Sequence, residues 1–171
     1  MRVFEFRAAL AAVLLWATLG AAGQGEAFIE IEDIPGDSTI SGFEDLIVVE
    51  SWSQGVVNLD RRAVVLPFRF THEIDRSTPK LIERALMGNN VGDVTLRVTQ
   101  FNGAVGQRFE FFTLVLRGAN IVSVQSTGVE GDVPREEVTV GCLDYKITFR
   151  EQNDNGTPGD ITEVEGSCGA Q

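Results

Sequence analysis

The sequence predicts a mostly β fold, a two-sheet β-barrel or sandwich with one short α-helix. Three observations carry that expectation. Apolar residues recur at period two in most segments after residue 27. Gly, Pro and Asn clusters punctuate those segments as turns do. Only one stretch, Thr78 to Met87, changes to helical spacing.

Phe28 to Ile34 (FIEIEDI) puts Ile29 and Ile31 on one face and Glu30 and Glu32 on the other, with Pro35-Gly36 as the closing turn. Leu46 to Val57 (LIVVESWSQGVV) reads as one extended segment, bent or bulged at Gly55. Val64 to Ile74 (VVLPFRFTHEI) alternates, with Leu66, Phe68, Phe70 and Ile74 on one face. The helix takes Thr78 as N-cap and Pro79 at its first position, where a missing N–H costs nothing. Leu81, Ile82, Ala85 and Leu86 form its apolar stripe, and Gly88 its stop.

Strands resume with Asp93 to Gln100, followed by Asn102-Gly103 as a hairpin turn. Gln107 to Arg117 and Ala119 to Thr127 read as two strands separated by Gly118. Glu137 to Arg150 changes parity, from Val138 and Val140 to Leu143, Tyr145, Ile147 and Phe149. That change predicts a bulge at Gly141-Cys142. From about residue 152 the tail is polar, and only Asp160 to Glu165 looks strand-like. The total is seven to nine short strands.

Residues 24–171 are expected to form one domain. Residues 1–23 are read as a signal peptide. Arg2 and Arg7 precede an apolar run of about 13 residues, Ala8 to Gly20, and small residues follow it. The run is short of the roughly 20 residues a membrane span needs. The expected location is periplasmic or extracellular. Removing residues 1–23 takes away two arginines and one glutamate, so the net charge moves from −11 to −12. Such an acidic chain disfavours nucleic acid as a partner, and no other segment suits membrane insertion.

Cys142 and Cys168, with 25 residues between them, are an even pair in an exported chain and read as one disulfide. On the chain-entropy account it stabilises by roughly 3–4 kcal/mol. A zinc site lacks CxxC spacing and neighbouring histidines. His72, the only histidine, falls on an apolar strand face and is read as packed and hydrogen-bonded, with no catalytic or metal role. Nucleophile elbow, P-loop, dinucleotide and zinc-protease motifs are absent. Asp154-Asn155-Gly156 lacks the alternation of a calcium loop and reads as a turn. No catalytic residue, cofactor or metal is expected.

Several segments together resemble a known family. FIEIEDIPGDST, LIVVESWSQGV, FRFTHEIDRSTPKLIERALMG, DVTLRVTQFNG and REEVTVGCLDYKITF follow one another as in the haemolysin-coregulated protein (Hcp) family, the tube proteins of type VI secretion. The most specific piece is F-T-x-x-I-D-x-S-x-P-K-L at Phe70–Leu81, with Ile34–Ser38 and Ser51–Ser53 in support. The resemblance implies a barrel of two sheets flanked by a helix, with no catalytic residues. It also implies self-association into hexameric rings that can stack, and small effector proteins or other secretion components as further partners. The signal segment, the cysteine pair and a short loop at Asn58 to Ala63 depart from the usual family pattern. They keep a second reading open, a secreted monomeric binding module on the same fold.

Overall fold

The structure, a computed structural model, describes residues 25–59, 62–102, 107–153 and 155–169. The signal segment at 1–23 and Gly103 of the expected hairpin turn lie outside the described residues. The fold is mostly β with one helix, as the periodicity predicts.

Eleven strands are present among the described residues. They are β1 (Glu26–Ile31), β2 (Ile47–Val49), β3 (Ser51–Ser53), β4 (Val56–Leu59), β5 (Arg62–Val65) and β6 (Phe68–Glu73), then, beyond the helix, β7 (Asn90–Asn102), β8 (Gln107–Thr127), β9 (Arg135–Gly141), β10 (Asp144–Gln152) and β11 (Pro158–Ser167). The main sheet runs β2-β1-β7-β8-β9-β6-β3, and every ladder in it is antiparallel. Its two end strands, β2 and β3, are consecutive in the chain and meet at Glu50, whose N–H donates to Thr71 O. The sheet therefore rolls on itself, although no ladder closes it. β10 leaves this path by pairing with the first half of β8, and β11 pairs only with β10. β4 and β5 form a separate two-stranded hairpin.

The count exceeds nine because expected segments divide: Val64 to Ile74 becomes β5 and β6, with Leu66 and Ile74 of its expected apolar face exposed, and Glu137 to Arg150 becomes β9 and β10. Leu46 to Val57 is three strands because the chain changes partner at Glu50 and again at Gly55. The tail forms a ten-residue strand, β11. In the other direction, Gly118 does not end a strand. It sits inside the 21-residue β8 with φ 58, a left-handed backbone that suits glycine. The strand expected over Phe28 to Ile34 stops at Ile31, where Ile34 N–H closes a turn on Ile31 O with Asp33 left-handed.

The change of face at Gly141-Cys142 occurs, but no bulge there makes it. Asn120 faces Gly141 and Arg117 faces Asp144, so the register is kept across the break between β9 and β10. β8 changes face at the same level, through Gly118. A bulge falls instead in β8, between Ile121 and Ser123.

Ile29, Ile47, Phe68, Phe70, Leu81, Leu96, Leu114, Leu116, Ile121, Val138 and Val140 are buried in the core. Each such side chain contributes about 1.5–3 kcal/mol relative to exposure. Phe28 points to the other face of β1 yet is also buried, because Phe43 stacks on it at 4.8 Å.

Helix α1 spans Thr78–Met87 and ends at Gly88, which is left-handed and donates to Arg84 O. Its N-cap position is Ser77, not Thr78. The Thr78 hydroxyl is engaged elsewhere, on Glu136. The expected stripe is divided. Leu81 is buried and Ala85 packs on the core, while Ile82 and Leu86 face outward, Leu86 at 84% exposure.

Candidate assembly surface

The family-like segments meet at one junction. In Phe70–Leu81, Phe70 and Leu81 enter the core, while Thr71 Oγ1 shares a 2.6 Å hydrogen bond with Ser51 Oγ of β3. Asp75 Oδ1 accepts from the Ser77 N–H at 2.8 Å and from the Ser77 hydroxyl, and so satisfies the helix start. Arg76 donates to Gly36 O and pairs with Asp37 and Asp45. Its bond to Asp45 holds the guanidinium above its ordinary value. Lys80 Nζ donates to Asp33 O. The motif residues thus dock the loop after β1 against the start of α1.

His72 lies in the same junction and is fully buried. Its Nε2 is 2.8 Å from Glu136 Oε1, a close polar contact that falls short of an aligned hydrogen bond. Glu136 is its cross-strand neighbour on β9 and is also buried. Thr78 Oγ1 donates to Glu136 Oε1 at 2.8 Å, and Ser126 Oγ to Oε2 at 3.4 Å. With every neighbour part of the packed junction, this pair positions structure and has no open space in which to meet a substrate. Sequence reasoning misses Glu136, which stands one residue ahead of the strand expected over Glu137 to Arg150, on the parity of Val138 and Val140.

Cys142 and Cys168 are joined by a disulfide. Among the described residues, no three His, Cys, Asp or Glu side chains converge as a metal site. A groove of about 740 Å³ beside β1 is lined by Glu30, Glu32, Asp33, Asp45 and Asp93, but it is open and holds no converging donor set. Asn155 Oδ1 accepts from Thr157 N–H and Gly156 N–H donates to Asn153 O, so this stretch is a turn; Asp154 itself lies outside the described residues.

The features left over are surfaces. Val56 faces Val65 and Val57 faces Val64 in the β4–β5 hairpin, and Val56, Val57 and Val64 are exposed. The neighbouring Leu66 is exposed too. A lone two-stranded hairpin is marginal in water, and a contiguous apolar surface marks a contact site. Trp52 of β3 stacks on Phe112 at 5.4 Å and stays partly exposed, as does Phe149, which faces Phe112 across β10 and β8. β11 leaves one backbone edge without a ladder. The valines passed in the sequence as the continuation of a strand, and nothing in their spacing reveals that they lack a core to face.

A rolled β-sheet whose buried polar pair is committed to packing, and whose open features are an apolar hairpin and a bare strand edge, is a building-block protein. The comparisons say of which kind. The family described as "Type VI secretion system effector, Hcp" matches residues 28–149, and the chain belongs to that family. Its fold is similar to a solved type six secretion system protein (22% identity, TM-score 0.78, covering 84% of this chain and 96% of that one). It is also similar to Hcp1 from Salmonella typhimurium (20% identity, TM-score 0.73, 84% and 94%). A type VI secretion system effector from Yersinia pestis matches at 23% identity and TM-score 0.69, over 82% and 98%. No curated protein matches the chain. The family is one of structural tube proteins, so this chain is a structural protein and not an enzyme. Among the described residues no helix is long and apolar enough to cross a membrane.

Proposed function

We propose that the chain is the subunit of a hexameric ring that stacks on other rings and leaves a channel for small effector proteins. The β4–β5 hairpin carries this reading. Among the described residues its ladder is β4 with β5 alone, and it exposes valines on both faces. A second copy would bury that surface, and ring closure would cover the free edge of β11.

The test is the solution mass of residues 24–171, measured by light scattering at micromolar concentration. Six subunits are expected, and a strict monomer would overturn the ring in favour of a monomeric binding module. Val57→Glu with Val64→Glu should weaken association at least about tenfold and leave the thermal midpoint within a few degrees, since the hairpin lies outside the core. Each mature subunit carries −12. Association driven by apolar burial should therefore tighten as salt rises, because added ions screen subunit repulsion.

We also propose that residues 1–23 direct export and are cleaved. Amino-terminal sequencing of protein from the producing cells should begin near Gly23 or Gln24. Intact Met1 on the folded protein would overturn export by this route.

A further inference from the structure

We propose that the Cys142–Cys168 disulfide is a redox latch on β11: closed, it fixes the edge strand of the sheet, and open, it releases that strand and with it the edge that ring closure would cover. The inference rests on the ring reading for its consequence, but the latch itself has its own readout.

The geometry is specific. Cys168 follows directly on the last residue of β11, and Cys142 lies in the break between β9 and β10. The bond therefore closes the whole β10–β11 hairpin into a covalent cycle. Other forces on β11 are weak. Beyond its eight-pair ladder to β10 it has no strand partner among the described residues. Most of its residues are exposed, Ile161 and Val164 included, so little burial holds it. Its ion pairs, Lys146 with Glu163 and Arg117 with Glu165, lie at the surface, where such pairs are worth little. Cys168 is the buried anchor at the end of this strand, and its N–H donates to Leu143 O at 2.8 Å. Opening the cycle would bare the outer edge of β10 and uncover Tyr145, whose ring lies against Gly166.

The chemistry is thiol–disulfide exchange with a dithiol reductant. A reductant thiolate bonds to one cysteine sulfur, the Cys142–Cys168 bond breaks, and the other cysteine leaves as a thiolate that takes up a proton. Cys142 is the more accessible of the two, so attack falls there. The second thiol of the reductant then attacks the mixed disulfide and frees Cys142. The protein gains two electrons and two protons, and the reductant leaves as a disulfide. In the reverse direction a disulfide oxidant closes the latch. No other cysteine exists in the chain to divert either step. A reducing compartment would thus hold the chain open and unassembled, and an oxidising one would close it.

The test compares residues 24–171 oxidised, reduced with dithiothreitol, and as Cys142→Ser with Cys168→Ser. Amide hydrogen exchange is read in 158–167 and, as an internal control, in 94–99 of β7. The latch predicts exchange in 158–167 at least about tenfold faster in both open forms, with 94–99 unchanged and protection restored on reoxidation. Equal exchange in 158–167 overturns it. So does faster exchange in both segments, which would make the bond a general staple. Light scattering on the same samples tests the consequence. Rings that persist when 158–167 is released overturn control of association. An oxidised monomer overturns the ring reading and leaves the latch to stand or fall on exchange alone.

Discussion

Gly36→Ala should lower the stability of the folded chain by about 3 kcal/mol or more, among the largest effects of any single methyl addition. A Cβ at Gly36 would lie within 3.0 Å of Ile47 Cα, Ile47 N and Leu46 O. All three are backbone atoms, so no side chain can rotate away. Ile47 is fully buried and paired with Ile29, which leaves β2 no direction in which to retreat. Gly36 itself donates from its N–H to Asp45 O at 2.7 Å and accepts from Arg76 at its carbonyl, so displacing it also loosens the loop from the helix start. Gly42→Ala is the control. Gly42 is left-handed at φ 82 with open space around it, so alanine there costs only backbone strain, about 1 kcal/mol. Urea unfolding of the disulfide-intact protein separates the two. With a slope of about 1–3 kcal/mol/M, Gly36→Ala should shift the midpoint down by more than about 1 M and Gly42→Ala by about a third as much. A wild-type midpoint for Gly36→Ala would mean that the loop does not pack on β2.

That glycine illustrates what the sequence can and cannot carry. Pro35-Gly36 is visible as punctuation, but close backbone approach leaves no mark on composition. β1, β6, the helix and β7 were legible because each buries one face, and burial is what periodicity records. β11 was legible only as Asp160 to Glu165, its middle, for the converse reason. PGDITEVEGS is exposed on nearly every position, so its strand comes from a ladder to β10 and a covalent anchor, neither of which imposes an apolar pattern. Gly118 misled in another way. Glycine signals a break or a kink equally well, and only the pairing of β8 with both β9 and β10 shows that this one is a kink. Of the surface, the family-like motifs were legible, but they turn out to build the junction under the surface. The exposed valines proposed to meet a second copy, Val56, Val57 and Val64, lie outside those motifs except where LIVVESWSQGV runs into them.

The junction beneath supports the second large prediction. His72→Ala and Glu136→Ala should each cost about 3–5 kcal/mol, because each leaves the other member buried with its partner gone. Glu136 would keep only the Thr78 and Ser126 hydroxyls. His72 would keep Phe70, 5.6 Å away, and a carboxylate oxygen of Asp75 at 3.9 Å, too far for a hydrogen bond. The double variant His72→Phe with Glu136→Leu should recover part of the loss, since it removes both members of the buried pair and leaves only the Thr78 and Ser126 hydroxyls without their acceptor. Urea midpoints of the parent, His72→Phe, Glu136→Leu and the double variant give a double-mutant cycle, and a coupling of about 2 kcal/mol or more is expected between residues in direct contact. Additive losses would show that the two groups are held separately and that the pair has no energetic identity. The recovered double variant should also keep the mass of the parent assembly. Because His72 and Glu136 are fully buried, their contribution to assembly is indirect: they fix β6 to β9 and the start of α1 to both, and the exposed hairpin enters the barrel through β6. A variant that regains stability but loses association would assign the pair a positioning role beyond packing.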